Sequence, residues 1–250
     1  MSSLSASLSH FSRISLEEMD NVKLLDRIDT KFIVHENQLP EFLDAVATNY
    51  DLLVIDGNWS HPYETLYFDT PGFQLYFMHH NGKRNRYKLR SRKYVNSGIS
   101  YFEIKTKTNT SRTVKHRMKV DVFPELIDST LIEYISKHTP GDPQTYVPSL
   151  RVFFDRITLV NRVDRERLTF DTNLRYQNNG SEIAIEDIVI AEIKQEKHSV
   201  SPFAQFMKIH RQRSHYISKY CLGITRMNSS IKTNLFKHKL DMLKKMGYDL

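Results

Sequence analysis

The densest chemistry in this chain lies in one short run, Arg84-Asn-Arg-Tyr-Lys-Leu-Arg-Ser-Arg-Lys-Tyr94. Side chains of a strand alternate between its two faces. Read as a strand, the run puts Arg84, Arg86, Lys88, Arg90 and Arg92 on one face. Such a row repels itself unless it is solvated or lies along a dense anion. A charged edge strand guarded against aggregation is the plain alternative. The excess of Arg over Lys favours the anion, because a guanidinium forks onto phosphate oxygens.

Carboxylates recur beside lysines. Asp29, Glu103 and Glu192 stand two residues before Lys31, Lys105 and Lys194. On a strand each pair shares a face, so a hard oxygen donor lies beside a phosphate-binding ammonium. Divalent cations take carboxylate together with phosphate oxygens. The competing reading is three cross-strand ion pairs of small individual worth.

These residues need strands to hold them, and the chain supplies about eight to ten. Extended segments are expected at 26–35, 52–55, 64–69, 84–94, 100–107, 112–122, 151–161, 165–176 and 183–194. Asn96-Ser-Gly98 marks a hairpin. Helices are expected at 16–25, 39–50, 73–80, 124–137 and in three segments after Ser201. Several strands carry charge on one face and apolar groups on the other. The expected fold class is α+β, an antiparallel β-barrel tunnel of about eight strands with a polar basic lumen. Helices cover it, and the C-terminus is helical. Residues 1–15, Ser-rich at the start, read as a flexible tail, and 16–250 as a single domain.

The 250 residues carry a net charge of +7, with a pI near 9.3, which favours phosphate-rich partners. No apolar run approaches membrane-spanning length. Cys221 is the only cysteine, which excludes an intrachain disulfide and a cysteine zinc cluster and fits a reducing cytoplasm. There is no glycine-rich phosphate loop. His79-His80 reads as a surface turn sooner than a metal pair. Tyr87 and Tyr94 are expected as barrel-covering core, with base stacking as the alternative.

The ordered set of motifs resembles the VTC domain, the polyphosphate-polymerase domain within the triphosphate tunnel metalloenzymes. The pieces are Arg27-Ile-Asp-Thr-Lys-Phe32, Tyr67-Phe-Asp-Thr70, Lys88-Leu-Arg-Ser-Arg-Lys-Tyr94, Phe102-Glu-Ile-Lys105, Phe154-Asp-Arg156, Arg167-Leu-Thr-Phe-Asp171, Ala191-Glu-Ile-Lys194 and Ser218-Lys-Tyr220. The resemblance implies a tunnel that binds triphosphate and a divalent metal, Mn²⁺ or Mg²⁺. It implies transfer of the ATP γ-phosphoryl group to a growing polyphosphate chain. By position it makes Lys31, Arg90, Arg92, Lys105, Arg156 and Arg167 the catalytic cations. Lys115, Ser218, Lys219 and Lys194 would bind substrate, and the basic row suggests Arg84, Arg86, Lys88 and Arg117 as further substrate contacts. Glu192 would hold the metal, with Glu103 and Asp29 as further ligands. His215 stands where some relatives carry lysine, and Asp29 stands where related CYTH proteins open with two glutamates.

Three activities compete. The first is ATP-dependent polyphosphate polymerase, and the second is a tripolyphosphatase or nucleoside triphosphatase in the same tunnel. The third is a non-catalytic module for polyphosphate or nucleic acid. The carboxylates among the cations speak against nucleic acid as a partner. ATP and polyphosphate are the expected ligands, in the cytoplasm, and a membrane-bound partner is compatible with this reading.

Overall fold

The computed structural model describes residues 3–20, 27–109, 113–196 and 199–248. In chain order the elements are α1 (Ser3–Leu8), β1 (Ser12–Ile14), α2 (Leu16–Asp20), β2 (Ile28–His35), α3 (Leu39–Val46), β3 (Tyr50–Leu53), β4 (His61–Asp69) and α4 (Gln74–His80). Next come β5 (Arg86–Tyr94), β6 (Ser100–Lys107), β7 (Thr113–Val120), α5 (Ser129–Ser136), β8 (Val147–Asn161) and β9 (Glu166–Asn178). The last are β10 (Ser181–Ile185), β11 (Ile188–Gln195), α6 (Pro202–Ile209), α7 (Lys219–Met227) and α8 (Lys237–Lys245). The class is α+β, as expected. The main hydrogen-bonded path has eight strands in the order β2-β11-β9-β8-β4-β5-β6-β7.

The chain forms two compact units. The first comprises Met1–His61, Asp155–Leu174 and Glu186–Tyr216. Here β11 pairs antiparallel with both β2 and β9. Alternation turns Phe32 and Val34 of β2 into a core with Leu168 and Phe170 of β9, and with Val189, Ala191 and Ile193 of β11. Helices α3 and α6 cover that face through Phe42, Leu43, Phe203 and Met207. Ser201 caps α6 and Pro202 occupies its first turn, where a missing N–H costs nothing. The other face is left to the odd residues of β2.

The second unit comprises Pro62–Phe154, Arg175–Ile185 and Ile217–Leu250. It holds β4, β5, β6 and β7 as antiparallel neighbours. Leu66, Phe68, Leu89, Phe102 and Ile104 face a core closed by Leu75 of α4 and by Leu131 and Ile135 of α5. Asp69 ends β4 and starts α4. Its carboxylate accepts from the backbone N–H groups of Thr70, Leu75 and Tyr76, and from the Tyr220 hydroxyl at 2.5 Å.

Several local expectations change. The segment read as a tail forms α1 and β1; β1 pairs parallel with β3, and Leu8 and Phe11 are buried in the first unit's core. The helix expected at 124–137 begins at Ser129, because Asp128 caps it by accepting from Leu131 N–H. The segment expected as one strand at 183–194 is two, β10 and β11, broken around Asp187, whose φ is +59°. Residues 21–25 of the first expected helix and Arg112 of the expected 112–122 strand lie outside the described residues.

Candidate functional site: two cation–carboxylate faces

In the first unit the polar face is set by register. Lys31 stands opposite Glu192, and Asp29 opposite Lys194. On the far side of β11, Glu192 stands opposite Thr169 and Lys194 opposite Arg167. Between β2 and β11 both opposed pairs are opposite in sign, which is favourable, whereas Lys194 and Arg167 are like charges directly opposed across β11 and β9. Glu192 binds Lys31 through Oε1, and Lys194 through Oε2 at 3.0 Å. Lys194 also donates to Thr169 Oγ1 at 2.6 Å. Arg156 of β8 forks onto Asp171 with contacts of 2.6 and 2.8 Å. Arg27 donates to Asp29 at 2.9 Å. His215 donates its backbone N–H to the Lys31 carbonyl at 2.7 Å.

Burial works against the Lys31 charge, but Glu192 and Asp29 outweigh it and raise the pKa. Lys194 goes the other way. Its burial is deeper in effect, Arg156 adds repulsion, and the pKa falls to about 8 despite Glu192.

In the second unit the rows are Thr65-Arg92-Tyr101-Lys119, Tyr67-Arg90-Glu103-Arg117 and Lys88-Lys105-Lys115. Arg86 stands opposite Lys107 at the end of the face. Glu103 is 1% exposed. It accepts from Arg90 Nε and Nη2 on Oε2, and from Lys115 and Arg117 on Oε1. Burial opposes its charge, yet Arg90, Arg92 and Lys115 hold its pKa well below the usual carboxylate range. Lys115 is pushed down to about 7 by burial and by repulsion from Arg90 and Arg117, against the pull of Glu103.

Arg92 donates to Thr65 Oγ1 at 3.3 Å and lies 5.4 Å above the Tyr63 ring. Arg117 lies 4.0 Å above Tyr101 and donates to the Tyr94 hydroxyl at 2.6 Å. Lys88 donates to Ser218 Oγ at 2.9 Å, and Ser218 caps α7 by accepting from Cys221 N–H. Lys219 sits 4.6 Å above Phe154.

The sequence-predicted residues thus gather on two faces. Lys31, Asp29, Arg156, Arg167, Glu192 and Lys194 belong to the first unit. Arg86, Lys88, Arg90, Arg92, Glu103, Lys105, Lys115, Arg117, Ser218 and Lys219 belong to the second. Arg84 departs from its row. The strand starts at Arg86, and Arg84 is exposed in the bend before it. Arg86 donates to the Lys83 carbonyl at 2.8 Å.

Tyr94, expected as covering core, lies on the cation face, as its even number in β5 requires. Tyr87 does pack against the core. His79 and His80 form neither a surface turn nor a metal pair. His80 is buried against Tyr76 and Phe236 and accepts from Leu235 N–H. His79 is driven down to about 2 by burial and by Lys88 and Arg86.

Sequence reasoning missed Thr65, Tyr67, Tyr101 and Thr169 as part of these faces, and Asp171 as the partner of Arg156. Parity is the signal that finds them, since each stands two residues from a named cation or carboxylate, or directly opposite one.

A model of the VTC domain family matches residues 26–228. The chain belongs to the VTC domain family. No curated protein matches it. Among solved structures, a Bacillus halodurans protein assigned as a candidate adenylate cyclase has a TM-score of 0.53 with this VTC domain at 14% identity. The match covers 81% of this chain and 97% of that one, and it shows a shared fold. A Hippeastrum protein, assigned as a candidate adenylyl cyclase with a dominant triphosphatase activity, has a TM-score of 0.46 at 14% identity. There the match covers 80% of this chain and 95% of that one. No helix among the described residues is long and apolar enough to cross a membrane.

Proposed function

We propose that this VTC domain is a metal-dependent polyphosphate polymerase that transfers the γ-phosphoryl group of ATP to a growing polyphosphate chain. The observation that carries the reading is the pairing of Lys31 with Glu192 and of Asp29 with Lys194 across β2 and β11, with Arg167 a second cation opposite Lys194 on β9. It offers carboxylate oxygens and phosphate-binding cations side by side.

The donor set fits a divalent cation. Among the described residues no three acidic, histidine or cysteine side chains gather tightly enough to hold an ion alone. Hard cations at phosphate sites take one or two carboxylates and fill the rest of their shell with water and substrate oxygens. Glu192 is the first candidate and Asp29 the second. When bound, Mn²⁺ or Mg²⁺ would screen the charge that builds on the transferring phosphoryl oxygens.

The protein's own part is positioning and charge. In the first unit Lys31, Arg156 and Arg167 bind phosphate oxygens and orient the phosphoryl group; in the second, Arg90, Arg92 and Lys105 are the phosphate-binding cations of that unit's own face. Lys194 in the first unit, and Arg86, Lys88, Lys115, Arg117, Ser218 and Lys219 in the second, are further phosphate contacts of their own faces. A terminal oxygen of the chain attacks the γ-phosphorus, the bond to the β–γ bridging oxygen breaks, and ADP leaves. No protein nucleophile is required. In this reading the protein works in the cytoplasm on ATP and polyphosphate.

The test replaces Glu192 by Ala. Metal-dependent turnover of ATP should be lost while tripolyphosphate binding persists through the cations. Retained turnover with an unchanged Mn²⁺ requirement in a folded Glu192→Ala protein overturns Glu192 as the ligand.

A further inference from the structure

Glu103 is the single carboxylate, among the described residues, in the registered rows that join Arg86, Lys88, Arg90, Arg92, Lys105, Lys107, Lys115, Arg117 and Lys119. A carboxylate offers about four lone-pair positions. Four donors fill them: Arg90 Nε at 2.8 Å and Nη2 at 2.7 Å, Lys115 Nζ at 2.5 Å and Arg117 Nε at 3.0 Å. With the side chain 1% exposed, no oxygen is left facing outward for an ion. The three cations come from both flanking strands, β5 and β7, and one carboxylate on β6 fixes all of them.

We propose that Glu103 is a positioning residue and takes no metal: it locks Arg90, Lys115 and Arg117 into one arrangement toward a phosphate chain. The proposal rests on the phosphoryl-transfer reading for its effect on rate. Removing a negative charge from a cationic face should, by charge alone, strengthen polyanion binding. Removing the lock should instead lower turnover, because fixed donors favour the transition state and mobile ones do not. The two effects act on different parameters, so the role is separable from a metal-binding one.

The test uses Glu103→Gln and Glu103→Asp in the full chain. Gln keeps the shape and removes the charge. Asp keeps the charge, shortens the reach, and serves also if Gln fails to fold. The expected result for both is a kcat lowered about tenfold or more, with KM for ATP not raised. Tripolyphosphate should bind no more weakly, and the Mn²⁺ activation midpoint should stay in place. In Glu103→Gln, NMR of labelled lysines should show Lys115 titrating below its value of about 7, since its attractive partner is gone.

A Mn²⁺ midpoint raised about tenfold, with kcat restored at saturating Mn²⁺, would make Glu103 a ligand and overturn the proposal. Wild-type kcat and an unmoved Lys115 titration in both variants would overturn it as well. If the wild type turns over no ATP, the polymerase reading fails separately. The Lys115 titration and tripolyphosphate binding then still decide whether Glu103 holds the cations.

Discussion

Lys115 and Lys194 carry full charge only on the acid side of their lowered pKa values, about 7 and about 8. Burial is the first cause for both, and neighbouring guanidinium groups add to it. A bound phosphate chain brings negative charge next to each amine and raises its pKa again. Binding must then take up protons from solution in the interval above pH 7, and affinity must fall as pH rises from 6 to 9. Calorimetric titration with tripolyphosphate in two buffers of different ionisation enthalpy measures the uptake. Identical heats in the two buffers, with a pH-independent affinity, would show that neither lysine meets the phosphates. The sequence announces these groups as cations but not as weak ones. Their weakness comes first from burial and then from β-strand neighbours far away in the chain, Arg90 for Lys115 and Arg156 for Lys194. The same distance hides from the sequence the surroundings of Glu103. Its proximity to Lys105 is visible there, and its contacts with Arg90, Lys115 and Arg117 are not.

At the scale of elements, local signals gave the reliable part. The strand 100–107 is found where alternation puts it. Asn96-Ser-Gly98 turns the chain between β5 and β6, with Gly98 at φ +69°, where a side chain would be strained. Errors came where a tertiary or capping contact decides the boundary. Arg84 lies in the bend after the Asn81-Gly82 turn, and the ladder with β6 begins only at Arg86 opposite Lys107. The α1–β1 segment is held by Leu8 and Phe11 in a distant core, which no periodicity in a Ser-rich stretch reveals.

Helix α7 shows how closely elements must fit in the second unit. A Cβ on Gly223 would stand 2.6 Å from Leu150 Cδ2 and would overlap the Tyr176 ring. Tyr176 and Leu150 are buried and cannot swing away freely. Gly223→Ala should destabilise the protein by about 1–3 kcal/mol through overpacking, although Ala favours a helix more than Gly does. Urea unfolding reads the change, and an unaltered or higher stability would contradict the packing of α7 on β8 and β9.

At the scale of the molecule, the two units repeat one principle. Each uses strand alternation to send apolar side chains under covering helices and charged ones to the opposite face. The α+β class and the antiparallel order were legible in the sequence because several strands are amphipathic and punctuated by turns. The family was legible because its motifs occur in order over most of the chain, where the VTC domain match also falls. Strands β8 and β9 each contribute residues to both units, and no linker composition marks a boundary in the sequence. The central claim concerns the fate of the γ-phosphoryl group, and the products of the purified protein incubated with ATP and Mn²⁺, resolved on a gel, test it most directly. The account predicts ADP together with a ladder of lengthening polyphosphate, whereas orthophosphate as the only phosphate product, or no turnover of ATP, would contradict it.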